Sequence, residues 1–275
     1  LQHFAKFLKN DLKISSKLGA ESSGARGIWG YQGPLFKDVL KFPVKVFSDI
    51  ITDMRIIKDK YELECIREAA KWGDLAHRLL QKYTKVGENE IDVSFRATHE
   101  ASKEMRETLG SDYSPLGYGA RPCGAGYRGQ IGNYSAIPHA MTRNAIFKKG
   151  DTLVTGASAN IAGYHSELER TMFMGEPSEK QREYFGIMVK AQEAAFNTIR
   201  PDIPLSKVDQ ATRTIFKEAG VFDLVLHHTG HSIGLEAHER PFFDVGLNDL
   251  IEPGMVFTVE PGIYDRTVGG FRHSD

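Results

Sequence analysis

The sequence predicts an α+β fold made from a duplicated unit of two helices followed by strands. The order helix, helix, strands occurs twice along the chain, and the two halves are offset by roughly 120 residues. Apolar residues recur at helical spacing in the helical segments, whereas the segments between them show strand and turn patterns. Such a duplication covers a curved antiparallel sheet with four helices and leaves one concave sheet face open for chemistry.

Each of the four helices is delimited by local signals. Gly110 ends the second, a capping box of Ser178 and Gln181 opens the third, and Ser206 is predicted to cap the fourth. The predicted helices span residues 59–83, 89–109, 178–200 and 206–220.

A hairpin between the second and third helices carries the first chemical signal. With a turn centred near Asn160–Ile161, Gly156 is predicted to lie opposite Glu167. Since side chains alternate along a strand, Glu167, Glu169 and Thr171 share one face. Two carboxylates so close are costly unless a cation meets them, which leaves a metal, an Arg or Lys, or a cationic substrate. The alternative is a solvated polar sheet face.

Size and composition bound the class of protein. The chain has 275 residues, a net charge of −1 and 41% hydrophobic residues, as expected for a globular protein. Near-neutral charge argues against nucleic acid or an acidic membrane surface as partner, and no apolar run approaches a membrane span. The two cysteines, Cys65 and Cys123, provide no disulfide framework, which favours a reducing, cytoplasmic location.

Two domains are expected. Residues 1–52 contain a helical piece at Phe4–Leu12 and a short strand at Val44–Phe47, and they are interpreted as the end of a preceding domain. Residues 53–275 form the predicted catalytic domain, which we expect to be truncated at its C-terminal end. Within it the glycine-rich run 117–132 is predicted to line a pocket, since no helix follows it as a dinucleotide fingerprint requires.

Other candidate residues lie outside the hairpin. His139 is in a loop, where surface decoration is the alternative. Four histidines occur within residues 227–238, including His231 and His238, and packing alone does not explain such a cluster. Glu260 lies at the end of an apolar strand. It is interpreted either as a site residue or as one partner of an ion pair. Arg272 is a candidate partner for one of the carboxylates.

In combination these motifs resemble the creatinase/aminopeptidase P/prolidase family, whose fold is the pita-bread fold. The resemblance rests on Asp53–Lys58, the hairpin, the His231 and His238 stretch, and Val259–Gly262. It implies a hydrolase that acts on a small-molecule or dipeptide substrate, and it implies a homodimer.

The resemblance also implies a metal site, but the match is incomplete. In the metallopeptidase members two aspartates, one histidine and two glutamates hold two metal ions. These positions correspond here to Gly156, Glu167, His231, Glu260 and Ser274. Because a glycine and a serine replace two ligands, the sequence predicts no metal cofactor. The alternative is a single divalent ion, Zn, Mn or Fe, held by Glu167, His231 and Glu260, with His165 or His273 as further candidates.

The metal-free creatinase branch matches other positions. Leu168–Thr171 resembles that branch, as does His139 by its distance from the hairpin. The resemblance implies that Glu169 and Glu260 grip a guanidinium group while His139 transfers protons. The arginine that helps to hold creatine's carboxylate corresponds to Phe242, so creatine itself is not the expected substrate.

Three functional hypotheses follow. The first is a metal-independent hydrolase of a C–N bond, with His139 as general acid/base and His231 and His238 stabilising the tetrahedral intermediate. In it Glu169, Glu260 and Arg272 bind substrate. The second is an Xaa-Pro dipeptidase or aminopeptidase with a rebuilt single-metal site. The third is a binding protein that keeps the fold without turnover.

Overall fold

The structure is a computed structural model, and it has two compact units, Leu1–Arg55 and Ile56–Asp275. The residues described are 2–20, 32–40, 42–114 and 122–275. The interpretation of the first unit as the end of a preceding domain stays a prediction.

The first unit is small and has its own core. Its parallel strands β1 and β2 pair Leu18 with Val44, and its apolar cluster is centred on the buried Leu40. The predicted helix and strand of this region are confirmed, with boundaries shifted by one or two residues. Its elements are helices α1 (Gln2–Asn10), α2 (Phe36–Leu40) and α3 (Ile50–Ile56, which crosses the boundary) and strands β1 (Leu18–Ala20) and β2 (Val44–Val46).

All four helices predicted for the second unit are confirmed. They are α4 (Lys60–Tyr83), α5 (Glu90–Leu109), α6 (Glu179–Thr198) and α7 (Leu205–Glu218). The capping box of Ser178 and Gln181 opens α6 as predicted. Across the described residues, the helices are too short or too polar to span a lipid bilayer.

The predicted cap of the last helix is wrong. Helix α7 begins after Pro204, so Ser206 lies inside its first turn. Backbone carbonyls of a neighbouring loop replace the side-chain cap, because Leu205 N donates to Asp249 O (3.0 Å) and Ser206 N donates to Leu247 O (2.8 Å). Free N–H groups at a helix start donate to any suitable acceptor, and only the tertiary structure shows which acceptor is within reach.

The strands of the second unit form short antiparallel ladders, which confirms the α+β prediction. The ladders are β3-β5-β6, β4-β7, β8-β9 and β10-β11. The strands are β3 (Cys123–Gly126), β4 (Thr152–Val154), β5 (Gly156–Ile161), β6 (Tyr164–His165), β7 (Thr171–Phe173), β8 (Gly230–Ser232), β9 (Glu239–Phe243), β10 (Gly262–Asp265) and β11 (Gly269–Arg272). Helices α4 and α5 pack on β3 and β5, and α6 and α7 pack on the later strands.

The hairpin forms, but its register differs from the prediction by two residues. Val154 pairs with Thr171, and Ile161 pairs with Tyr164, so Gly156 lies opposite Glu169 rather than Glu167. The turn lies at Ala162 and Gly163, where φ is 51° and 90°. Glycine adopts this left-handed conformation without a steric cost, and that preference moves the turn toward the C-terminal strand.

Two helical glycines give opposite expectations for substitution by alanine. At Gly186 in α6 an added Cβ meets nothing within 4 Å, whereas at Gly73 in α4 it lies 2.9 Å from Ser166 Oγ. That hydroxyl joins the helix to the hairpin, because it donates to Ala69 O and accepts from Ala159 N, each at 3.0 Å.

We therefore expect Gly186→Ala to raise the free energy of unfolding by about 0.5–1 kcal/mol. Gly73→Ala should lower it by roughly 1–3 kcal/mol, because the hydroxyl must move away from its partners. Urea denaturation of both variants and the wild type measures the difference. Equal effects of the two substitutions would contradict the role assigned to Ser166.

Candidate active site

Three carboxylates converge at one place in the second unit. Glu167 and Glu169 lie on the segment between β6 and β7, and Glu260 lies just before β10. One oxygen from each falls within 4.8 Å of the others. Glu169 is buried, and the side chains of Glu167 and Glu260 are only 19% and 13% exposed. Carboxylates held this close in a poorly solvated place require positive charge beside them.

His231 on β8 points into this cluster. Its Nδ1 lies 3.0 Å from Ser232 O, so that nitrogen carries the proton it donates to the carbonyl. Its Nε2 lies 3.1 Å from Glu260 Oε1 and 3.8 Å from Glu167 Oε2. Although it is buried, Nε2 makes no hydrogen bond of good geometry with any described residue. A ring nitrogen fixed in this way among carboxylates is a ready metal ligand.

The electrostatics of the cluster show an excess of negative charge. Burial and the charges of Glu169 and Glu260 raise the pKa of Glu167 to about 7. Burial opposes ionisation of Glu260, but His231 and Arg272 outweigh it and lower the pKa of Glu260 to about 2. Burial disfavours the charged form of His231, yet its carboxylate neighbours raise its pKa. The cluster thus retains protons near neutral pH, and a cation can take their place.

Arg272 on β11 is enclosed by protein groups. It is 2% exposed, and its Nε and Nη2 donate to both oxygens of Glu169. Its Nη1 donates to Pro138 O (3.1 Å) and Tyr264 Oη (2.9 Å). The predicted pairing with a hairpin carboxylate is therefore present. Since its donors are directed at protein groups, the geometry favours positioning of Glu169 over direct contact with substrate.

The two remaining predicted histidines lie at the exposed side of the site. The ring centroid of His238 is 4.2 Å from that of His231, and His139 follows the Pro138 carbonyl that Arg272 binds. Burial and then the charge of Arg128 lower the pKa of His139. Burial and His231 likewise lower the pKa of His238. Both imidazoles are therefore neutral at neutral pH and able to accept a proton.

The two further ligand candidates are His165 and His273. Both lie outside the groups of described side chains whose ligand atoms are close enough together to hold a metal ion. His165 Nε2 is 3.3 Å from Asn160 Nδ2, and the ring of His273 packs against Phe185. Sequence reasoning missed Arg128, which bonds to Glu169, and Tyr264, which joins Arg272 to the site. The available signal for Arg128 was its place beside a glycine in the glycine-rich run.

Comparison with known proteins agrees with this geometry. The profile of Metallopeptidase family M24 matches residues 64–275, and the chain belongs to that family. An Xaa-Pro dipeptidase of Pyrococcus furiosus is 32% identical over 274 residues, covering 98% of this chain and 74% of the relative. The solved prolidase from Pyrococcus furiosus has a TM-score of 0.81 at 29% identity, covering all of this chain and 75% of that one.

A second solved structure, an Xaa-Pro dipeptidase from Bacillus anthracis, has a TM-score of 0.83 at 30% identity and covers 100% of this chain and 72% of that one. The resemblance to the creatinase/aminopeptidase P/prolidase family is thereby confirmed, as are the pita-bread fold and the class of peptidase-like hydrolase. The metal-free part of the first hypothesis finds no support in these relatives.

The expectation that no metal cofactor is needed is wrong. The chain belongs to a metallopeptidase family, and its described residues include two groups with ligand atoms at metal-binding spacing. They are Glu167, His231 and His238, and Glu167, Glu169 and Glu260. The buried, unbonded Nε2 of His231 among acidic oxygens fits a divalent ion. The prediction failed because it counted the ligands lost at Gly156 and Ser274 and undervalued those that remain.

Proposed function

We propose that this chain is a divalent-metal-dependent dipeptidase that hydrolyses Xaa-Pro dipeptides. The observation that carries the proposal is the fixed orientation of His231, whose unbonded Nε2 faces Glu167 and Glu260. Histidine and carboxylate side chains are both metal ligands, and three protein ligands suffice for a catalytic metal site. The Xaa-Pro dipeptidases among the relatives support the substrate class.

Each residue has a separate role in this proposal. Glu167, His231 and Glu260 would hold at least one divalent ion, and that ion would supply Lewis acidity toward the scissile carbonyl. His139 and His238 stand neutral at the exposed side of the site, where they accept and return protons. Glu169 and Arg272 were expected to bind substrate. Because they bind each other, we assign them instead the role of positioning the site.

The test is hydrolysis of Ala-Pro by the purified protein, before and after treatment with a chelator. We expect activity to disappear with the chelator and to return when Mn²⁺, Zn²⁺ or Fe²⁺ is added. Ala-Ala serves as the control substrate and should be cleaved much more slowly. Ala-Pro hydrolysis that persists undiminished in chelator, or that no metal elicits, would refute the proposal.

His139 provides an independent check on the mechanism. General acid–base catalysis contributes typically 10²–10⁴-fold, so His139→Ala should lower kcat by at least about 100-fold. Its metal content should stay unchanged, because this residue lies outside the ligand groups. Full activity of the variant would exclude the assigned role.

Homodimer formation and a cytoplasmic location remain predictions for this protein.

A further inference from the structure

A strained turn carries an arginine into the active site. Gln130 N donates to Tyr127 O (2.8 Å) across a turn whose two central residues, Arg128 and Gly129, have φ values of 50° and 72°. The left-handed conformation is sterically unfavourable for a residue with a Cβ. Arginine offers no local compensation at such a position, and strain of this kind is concentrated at functional sites.

The turn is held in place by a buried carboxylate. Glu90 is 1% exposed and accepts from Gly129 N (3.0 Å) and from two amides of the next loop, Arg143 N (2.6 Å) and Ala145 N (3.2 Å). A Cβ on Gly129 would lie 2.0 Å from Met141 O, so only glycine fits there. The backbone under Arg128 is therefore fixed before any ligand arrives.

The positive charge of the Arg128 guanidinium exceeds what the site carboxylates neutralise once a divalent ion is bound. One of its nitrogens donates to Glu169, which already receives both parallel donors of Arg272. If a divalent ion offsets Glu167 and Glu260, then Arg272 offsets Glu169 and one positive charge remains. The Arg128 side chain is 42% exposed, whereas that of Glu169 is 5% exposed, so this charge is accessible to solvent.

The guanidinium of Arg128 lies beside Gly156. A Cβ built on Gly156 would lie 3.9 Å from both Nε and Nη2 of Arg128, which places the guanidinium beside a residue without a side chain. Among the described residues, Nε and Nη1 have no hydrogen-bond partner. The charge of Arg128 also contributes to the lowered pKa values of His139 and His238, which agrees with a place between the cluster and the exposed histidines.

We propose that Arg128 binds the free C-terminal carboxylate of the dipeptide and so makes the enzyme select dipeptides over longer or amidated peptides. This inference rests on the proposed dipeptidase function and names the residue that sets its substrate length. A carboxylate forms charge-assisted, geometrically specific bonds with a guanidinium, and a neutral amide does not replace them. The anchor on Glu169 holds the guanidinium in place, so little side-chain freedom is lost on binding.

The test compares Ala-Pro with Ala-Pro-amide, which differ only in the charge of the C-terminal group. The wild type should prefer Ala-Pro in kcat/KM by roughly 30- to 100-fold. Arg128→Gln should lose that factor on Ala-Pro, mainly through KM, and stay within about threefold of the wild type on the amide. Arg106→Gln is the control, because the side chain of Arg106 is 65% exposed on helix α5 and pairs with the exposed Glu107; this variant should behave like the wild type on both substrates.

Other outcomes overturn the inference. An equal loss on both substrates in Arg128→Gln would mean that the residue acts only through Glu169. A wild type without preference would mean that the carboxylate is not recognised.

If the wild type cleaves neither substrate, the dipeptidase proposal fails, and calorimetric titration with proline and prolinamide tests Arg128 separately. Tighter binding of proline that Arg128→Gln abolishes supports carboxylate recognition. Equal binding of the two ligands, or no binding of either, contradicts it.

Discussion

Replacing His231 by alanine is expected to remove metal binding and to lower kcat/KM for Ala-Pro by about 10³-fold or more. The side chain of His231 is 1% exposed. Among the described residues of the two ligand groups, it is the only buried histidine. A catalytic metal supplies several kcal/mol of transition-state stabilisation, which corresponds to a factor of this size. Elemental analysis of the dialysed variant and steady-state kinetics with added metal measure both effects.

His228 supplies the control for this experiment. It belongs to the same histidine-rich stretch, but its ring packs edge-on against Phe242 and it is absent from both ligand groups. His228→Ala should therefore retain the metal content of the wild type. Metal bound at wild-type stoichiometry and affinity in His231→Ala would remove the main support for the proposed site.

Replacing Arg272 by leucine is expected to lower the free energy of unfolding by about 3–5 kcal/mol. The guanidinium is fully enclosed and serves both oxygens of Glu169, a backbone carbonyl and the Tyr264 hydroxyl. Removal of one partner of a buried ion pair is costly because the other charge loses compensation, and Arg128 bonds to only one of the two oxygens of Glu169. Urea denaturation, followed by circular dichroism, measures the change.

A double variant separates the charge from the packing. Arg272→Leu combined with Glu169→Leu removes both charges and should recover a substantial part of the lost stability. Arg78→Leu is the control, since Arg78 pairs with Asp74 on the surface, where side chains are 65% and 55% exposed. Its effect should stay below about 1 kcal/mol. If Arg272→Leu were as mild as this control, the buried pair would have no structural weight.

The chemical groups of the site were accessible from sequence because they depend on local patterns. Alternation along a strand places Glu167 and Glu169 on one face whatever the register of the hairpin. The crowding of His231 and His238 within one short stretch marks it as functional without any knowledge of the fold. The expectation that no metal binds was wrong because it counted the ligands lost at Gly156 and Ser274 one by one. It gave too little weight to the ligands that remain.

The register of the hairpin was not accessible in the same way. Its turn is set by left-handed backbone at Ala162 and Gly163, and the predicted turn two residues earlier satisfies the strand pattern equally well. The shift exchanges the residue that faces Gly156, so that Glu169 rather than Glu167 lies next to it. Which residue lies opposite a given strand residue depends on how the two strands pair, and the sequence of one strand does not specify it.

The sequence by itself determined the helix order, the family and the acidic and histidine side chains of the site, because capping, periodicity and motif spacing are encoded over short distances. The tertiary structure alone decided which cation meets which carboxylate. Glu169 bonds to Arg128 and Arg272, which are 41 and 103 residues away along the chain. Pairings over such distances depend on how the strands assemble, since loop closure brings together groups whose spacing in the sequence carries no signal.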